Sequence, residues 1–404
     1  MNSHPIKKFK INNGHSQPIT RDFFRDSIPK DLPSHLIHEI LLRSAAECLL
    51  SFKGVCKDWC SLIKDPSFVK QHHDHHKANN QSIGIVFIHD SDYIEQYYLT
   101  ILNSLREYED VPFNKETKTE KFGISVSTDR ILKITSCNGL LCFHTEFPLL
   151  MLNPITKEML ELPKPRIEEE KEEASACGFG FDAKKNVYKV VQLKRCFSNS
   201  SLGCEVLELG TTMSWRKIQH QPSFPHPDLG DPELRPEPVF VEGSIYWQAI
   251  KNQNILCFDV ASEMFRLIPA PDGKKTERGG AYTTFLVELD RSLCLMTHDI
   301  SCGVVGIWKM QNDDRKTTWI ESYSFDTERI DLEDIDIKSL CIRSKKIYLK
   351  YRKGLACYDT QSQELMAPVF SRVADNNLDA VAYTKSIVCL RDVVGSSIMR
   401  LCTS

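Results

Sequence analysis

The residues best suited to chemistry fall in one short run, His72-His73-Asp74-His75-His76. On a helix, imidazoles three or four positions apart share a face, which is a spacing that zinc uses. No cysteine or carboxylate set nearby completes a tetrahedral site, so the run is expected to be a histidine-rich polar linker after Val69. His38-Glu39 starts like the two-histidine helix of a zinc protease, but Leu42 stands where the second histidine belongs. Gly178-Phe179-Gly180 lacks the third glycine of a dinucleotide-binding turn and lies in a strand-like run. Neither a G-x-x-x-x-G-K-[ST] phosphate loop nor a G-x-S-x-G nucleophile elbow occurs. The expectation is a chain with no catalytic residue, no metal and no cofactor.

Two further sets could bind without reacting. The acidic run Glu168, Glu169, Glu170, Glu172 and Glu173 could face a basic ligand, and Trp215, Trp247, Trp308 and Trp319 could stack one. The plainer readings are a solvated loop for the first and packing at equivalent strand positions for the second. Fifteen cysteines, an odd number without a Cys-x-x-Cys pair, fit neither a disulfide framework nor a zinc ribbon. Cys142, Cys257, Cys294, Cys357 and Cys389 lie in apolar runs where a free thiol packs as a small hydrophobe, which suits the cytoplasm or nucleus. Over 404 residues, 51 Lys plus Arg oppose 54 Asp plus Glu, so there is no field of one sign to gather nucleic acid. Nowhere do about 18 apolar residues run together, so no membrane partner is expected. At 41% hydrophobic and 26% charged, the chain reads as soluble and globular, with two to three domains.

The elements that must position these residues change character along the chain. Residues 1–27 are polar and aperiodic and are expected to be a disordered leader. Across 28–68 the pattern is helical. Leu36, Ile37, Ile40 and Leu41 form one face, with Leu32 and Pro33 at its start, because proline suits a first turn whose N–H is unpaired anyway. Ser44 and Glu47 have the capping-box spacing ahead of Leu49, Leu50 and Phe52. A third helix carries Val55, Trp59, Leu62 and Ile63, and Asp65-Pro66 ends it. Three helices this short cannot bury all of that stripe among themselves, so something else must cover part of it.

Leu32-Pro33, Glu39-Ile40-Leu41, Leu49-Leu50-Ser51-Phe52-Lys53, Val55-Cys56-Lys57-Asp58-Trp59 and Leu62-Ile63-Lys64-Asp65-Pro66-Ser67-Phe68 resemble the F-box. The resemblance implies that Leu32, Pro33, Leu36, Ile37, Ile40, Leu41, Leu49, Leu50, Phe52, Val55, Trp59, Leu62 and Ile63 serve the Skp adaptor of a cullin-RING ubiquitin ligase. One stretch departs from the family, which usually has Leu-Pro-Val-Lys-Ser where this chain has Ser44-Ala45-Ala46-Glu47-Cys48.

After a linker over 69–81, residues 82–404 read as all-β, with short alternating runs between turn residues. Asn138-Gly139-Leu140-Leu141-Cys142 leads to Asn153-Pro154; Glu242-Gly243-Ser244-Ile245-Tyr246-Trp247 leads to Asp259; Ser344-Lys345-Lys346-Ile347-Tyr348-Leu349 leads to Asp359. Pro154, Asp259 and Asp359 stand 105 and 100 residues apart, with intermediate copies near 209 and 310. A period near 50 with four strands per unit is that of a β-propeller. Ile83–Ile88 and Val381–Leu390 are expected to share one blade, giving six blades, with seven as the alternative count. The expected fold is α+β by domain, a small three-helix module followed by the propeller.

Ser136-Cys137-Asn138-Gly139-Leu140-Leu141-Cys142, Asn153-Pro154-Ile155-Thr156-Lys157-Glu158, Gly178-Phe179-Gly180-Phe181-Asp182, Tyr188-Lys189-Val190-Val191 and Ser214-Trp215-Arg216-Lys217-Ile218 resemble the kelch-like F-box-associated domain of plant F-box proteins. The two resemblances together imply a non-catalytic substrate-recognition subunit that brings a target protein to the ligase through the adaptor, a cullin scaffold and a RING protein. The alternatives are a scaffold without ubiquitin transfer and a small-ligand-binding propeller. Loops on a rigid scaffold usually carry recognition. The connections from one blade's outer strand to the next inner strand, 163–176, 220–236, 271–280 and 326–337, are therefore the expected target surface, with Glu169, Glu170, Phe224, Pro225, His226, Asp272 and Lys274 as its candidate residues.

Overall fold

A computed structural model describes residues 32–78, 82–90, 96–102, 119–125, 131–145, 149–164, 172–196, 201–210, 212–218, 234–235, 237–249, 254–271, 282–313, 316–327, 338–351, 354–370 and 377–395. The expected leader, 1–27, lies outside them.

The N-terminal module has four helices rather than three: α1 (Ser34–Arg43), α2 (Ala46–Phe52), α3 (Lys57–Lys64) and α4 (Pro66–Ala78). Asp65 ends α3 and starts α4 at once, its carboxylate accepting from the Ser67 and Phe68 N–H groups at 2.9 and 3.1 Å. The segment expected as a polar linker is therefore mostly helix. Phe68, His72, His73 and His76 are buried along one side of α4, a face hidden from a reading that counts histidine as polar.

Three local expectations in the module fail. Pro33 is the cap of α1 and not its first helical residue, though its carbonyl accepts from Leu36 and Ile37 N–H at 2.9 and 3.2 Å. The capping box does not form. Ser44 Oγ turns back to donate to the Ile40 carbonyl at 2.7 Å, Ala45 caps α2, and Glu47 points to the other domain. Val55 lies in the turn before α3, whose cap is the Cys56 thiol, accepting from Trp59 N–H at 3.5 Å.

The rest of the chain forms six four-stranded antiparallel sheets. The second to sixth blades follow chain order: β4–β7 (Ile131–Cys137, Leu140–Thr145, Leu150–Asn153, Glu158–Glu161), β8–β11 (Glu172–Asp182, Val187–Cys196, Ser201–Glu208, Trp215–Lys217), β12–β15 (Val239–Val241, Ser244–Gln248, Ile255–Asp259, Met264–Ile268), β16–β19 (Tyr282–Leu289, Ser292–Asp299, Val304–Asp313, Lys316–Asp326) and β20–β23 (Lys338–Arg343, Lys346–Tyr351, Gly354–Asp359, Glu364–Phe370). The first blade joins both ends of the domain: β24 (Asn377–Thr384) pairs with β1 (Ile83–Asp90), followed by β2 (Gln96–Leu102) and β3 (Thr119–Ser125). The closing strand starts four residues before Val381, and Leu390 belongs instead to the short helix α5 (Leu390–Val394). The first strands of the sheets contact one another in ring order, β24, β4, β8, β12, β16 and β20, and so surround the axis.

The repeat has a backbone cause. Asn153, Asp259 and Asp359 each end a third strand and accept hydrogen bonds from the following turn, and the residue four places on, Lys157, Glu263 or Gln363, takes a left-handed conformation. Asn153 and Asp359 each accept two N–H groups, and Asp259 accepts the N–H and the hydroxyl of Ser262. Inner hairpins turn on two left-handed residues, Asn138-Gly139, Glu242-Gly243, Asp290-Arg291 and Ser344-Lys345, which match the twist of the strands they join. Gly139 is required twice over: its φ is +83°, and a Cβ there would lie 2.3 Å from Ser386 Cβ. Gly178, weighed above for a phosphate turn, makes room for an indole: a Cβ would lie 2.4 Å from Trp247 Cζ2.

The tryptophans do not share one strand position. Trp215 and Trp319 are equivalent on outer strands, whereas Trp247 is on a second strand and Trp308 on a third. Trp215 Nε1 donates to the Pro163 carbonyl at 2.7 Å and Trp319 Nε1 to that of Pro269 at 2.9 Å, so each ties its blade to the connection leaving the blade before.

Candidate functional site

The helical module divides its thirteen candidate residues into three sets. Leu41, Leu49 and Ile63 are fully buried; Leu32, Ile37, Leu50, Phe52, Trp59 and Leu62 are half-buried; Pro33, Leu36, Ile40 and Val55 are exposed. Leu36 and Ile40, at 41% and 50% exposure, stand one helical turn apart on α1, so they form one outward apolar row. Val55, at 39%, follows α2, where Phe52 packs edge-on against Trp59 with 5.7 Å between ring centroids. The buried set holds the helices in place, and the exposed row is what remains for a partner.

The other side of the module is built onto the propeller. Leu41, Ala46, Leu49, Ile63 and Phe68 share one core with Val86, Ile88, Leu99 and Ile101 of the first blade and Ile134, Leu141, Phe143, Leu150 and Leu152 of the second. Glu47 accepts a hydrogen bond from the Lys385 ammonium. The Ser44 carbonyl, orphaned between α1 and α2, accepts from His72 Nε2 at 2.8 Å and His76 Nε2 at 3.1 Å. His76 Nδ1 in turn contacts Ser82 Oγ at 2.9 Å, just ahead of β1. Burial lowers the pKa of His72 and His73 to about 4 and lowers that of His76 as well. These rings pack as neutral groups, and no metal-ligating cluster of three or more is found among the described residues.

Beneath α4 lies a cavity of about 150 Å³ on the propeller axis, lined by Ile134, Phe240, Glu288, Lys338, Ala380 and, from α4, Lys77 among others. Two cations of its rim are paired, Lys338 with Asp379 at 3.6 Å and Arg291 with Glu242 at 2.9 Å. Burial pushes Glu288 above the ordinary carboxylate range, opposed chiefly by the charge of Lys77. The axis therefore ends under a helix of the same chain.

A denser ionic cluster joins the third and fourth blades. Lys189, fully buried, donates to the Val260 carbonyl and to Glu263 Oε1, both at 2.8 Å, and lies 3.1 Å from Asp182 Oδ2. Arg216 clasps the same Glu263, with Nη1 to Oε2 at 2.8 Å, and also reaches Glu208 at 2.9 Å. The Arg216 bond, followed by Lys189, outweighs burial and draws the Glu263 pKa down to about 2. This cluster is structural, since its groups are turned to one another.

The candidate target residues Glu169, Glu170, Phe224, Pro225, His226, Asp272 and Lys274 lie outside the described residues. The strands flanking them are described: the outer-to-inner connections span 162–171, 218–238, 269–281 and 327–337, close to expectation except that β8 starts at Glu172, so Glu172 and Glu173 belong to a strand. In an antiparallel blade these connections leave from the end opposite the inner hairpins. Because α4 meets the domain beside the Asn138-Gly139 hairpin and β1 begins there, the connections start from strand ends facing away from the helical module. Nothing in the sequence points to Lys385 or to the part that His72, His73 and Glu47 play at the joint; counting histidine as apolar over Phe68, Val69, His72, His73 and His76 would have revealed the α4 face.

Comparison with known proteins follows the same division. A family described as the F-box associated beta propeller domain matches residues 86–364, and the F-box domain matches residues 30–71. Among similar proteins of Arabidopsis thaliana, an F-box/LRR-repeat/kelch-repeat protein is 28% identical over 361 residues, covering 88% of this chain and 92% of its own length. An F-box/kelch-repeat protein is 24% identical, covering 93% and 99%, and an F-box protein is 27% identical, covering 77% and 72%. No helix among the described residues is long and apolar enough to cross a membrane.

Proposed function

This chain belongs to the plant F-box proteins whose F-box is followed by an F-box-associated β-propeller domain, and on that premise we propose that it is a substrate-recognition subunit of a Skp-cullin-F-box ubiquitin ligase. The observation that carries the reading is the outward apolar row of Leu36 and Ile40, with Pro33 and Val55, on a module whose other side is already committed to the propeller. A Skp-family adaptor covers that row. The chain itself supplies no catalytic group; it contributes proximity, holding a target near a ubiquitin carrier borne by the cullin and its RING protein. Target recognition belongs to the outer-to-inner connections, whose flanking strand ends face away from the F-box, so adaptor and target need not compete for one surface. The cytoplasm or nucleus is where such a complex would act. The pairing of Lys338 and Arg291 and the helix above the axis favour this reading over a small-ligand propeller.

One experiment with two variants tests it. Leu36→Asp/Ile40→Asp, which would desolvate two carboxylates against the adaptor, should weaken binding of a purified plant Skp-family adaptor at least a hundredfold in titration calorimetry. Its circular dichroism should match that of the unaltered chain. Exchanging 220–236 for a short Gly-Ser segment should leave adaptor binding unchanged and remove the proteins that the intact chain captures. Adaptor binding retained by a folded Leu36→Asp/Ile40→Asp chain overturns the assignment.

A further inference from the structure

Beside its apolar core, the joint between the F-box and the propeller holds buried titratable groups on α4. A carbonyl can only accept, so both His72 and His76 present an Nε2–H to Ser44 O, and neutral rings then carry their lone pair on Nδ1. For His76 that lone pair lies against the Ser82 hydroxyl, the first contact with the propeller. The two rings are only 4.3 Å apart between centroids. His73 is buried at the cavity rim beside Lys77, itself a cation. The charged and titratable neighbours are His75 and Glu47 for His72 and His76, and Lys77, His72 and His76 for His73; from the propeller, Lys385 reaches this group through Glu47. Glu47, already engaged by Lys385, bears on His72 and His76, while His73 has Lys77 beside it and shares its cavity with Glu288 and Asp290. Proton uptake would therefore place up to three further cations in a buried site, where desolvation penalises each.

We propose that α4 is a protonation-sensitive latch: with His72, His73 and His76 neutral and Glu47 paired to Lys385 the F-box and propeller form one body, and proton uptake or charge reversal at that pair releases the joint while the propeller stays folded. The sign follows from the direction of the shifts. Groups whose pKa is lowered from 6.5 in the closed state support closure fully above about 6.5 and lose that support as pH falls toward 4. At pH 5 each of His72 and His73 should weaken closure roughly tenfold to thirtyfold. The latch goes beyond the ligase reading and holds whether or not an adaptor is bound.

A zero-length carbodiimide crosslink between Glu47 and Lys385, read by mass spectrometry on the full chain, reports closure. The Lys133–Glu237 pair within the propeller, 2.6 Å apart, serves as the internal standard at each pH. Relative to that standard, the Glu47–Lys385 crosslink should fall at least tenfold between pH 7.5 and pH 5, with the β signal in circular dichroism retained. His72→Gln/His73→Gln/His76→Gln, whose side chains donate but do not titrate, should keep the crosslink at pH 5. An unchanged ratio in the unaltered chain, or an equal loss in the glutamine variant, overturns the latch. If the triple variant fails to fold, the charge pair decides: Lys385→Glu should speed hydrogen exchange across 66–78 at pH 7.5, and Glu47→Lys/Lys385→Glu should restore it. Exchange unaltered by Lys385→Glu overturns the proposal.

Discussion

The helical module and the propeller solve the same burial problem in opposite ways. In the propeller every blade rests on two neighbours, and the joining of β24 to β1 leaves no end blade uncovered, so cores such as that of Trp247, Ile245, Phe258 and Val191 are entirely internal. The module has too few residues for that. It borrows two blades to cover Leu41, Leu49, Ile63 and Phe68, and still leaves Leu36 and Ile40 in water. Self-sufficiency in one region and debt in the other explain why the module, too small to close its own surface, keeps the adjacent pair Leu36 and Ile40 outward.

The comparison is broken most forcefully from inside the ring. Trp247 is fully buried and its Nε1 donates to the Cys177 carbonyl at 3.3 Å, joining the third and fourth blades. Trp247→Ala should cost about 4 kcal/mol. Since the module owes its core to the ring, thermal unfolding followed by tryptophan fluorescence and by helical circular dichroism should shift together. A helical transition that stays in place would mean the module has a sufficient core of its own.

A smaller effect is expected from the ionic cluster on the same joint. Lys189→Met removes the buried cation that Asp182 and Glu263 share, leaving Arg216 to serve Glu263 alone, at a cost of about 3 kcal/mol. Exchange of the fully buried Asp182 as well, in Lys189→Met/Asp182→Asn, should recover part of the loss in denaturant titration, because the penalty comes from unpaired charge rather than from missing attraction. No recovery would shift the explanation to packing of the lysine stem.

Legibility in the sequence follows this same contrast. The blades were readable because each turn needs particular residues at fixed places: Asn153, Asp259 and Asp359 announce their hairpins, and Asn138-Gly139 and Glu242-Gly243 announce theirs. Helical spacing puts Leu36, Ile37, Ile40 and Leu41 on one face, but it does not separate the exposed Leu36 and Ile40 from the buried Leu41. What escaped was every feature made by distant partners. Ser44 and Glu47 have the spacing of a capping box, yet the carboxylate is taken by Lys385, 338 residues away, and the hydroxyl by the preceding helix. The histidine run suggested a polar linker because nothing local shows that Ser44, Ser82 and two blades will enclose it. The departure from Leu-Pro-Val-Lys-Ser gains a physical reason by the same route: position 47 faces a lysine, so a carboxylate serves there.

The finest test compares two copies of one device within the ring. Trp215 and Trp319 occupy equivalent outer strands and donate to Pro163 and Pro269 carbonyls, at 2.7 and 2.9 Å. Tryptophan to phenylalanine removes the N–H and keeps an aromatic ring, so the measured loss reflects mainly the carbonyl left behind. At Pro163 the bond is partly buried, and water reaches the abandoned oxygen poorly; at Pro269 the bond is exposed, and water replaces the indole at once. Trp215→Phe should therefore cost about 1 kcal/mol and Trp319→Phe about 0.5 kcal/mol or less in denaturant titration. Neither should alter adaptor binding, since both lie on blades that the F-box does not borrow. Equal costs would show that the blade joint, not solvent access, sets the value of these bonds. A larger cost at Trp319 would place the more demanding seam at the fourth and fifth blades rather than the second and third.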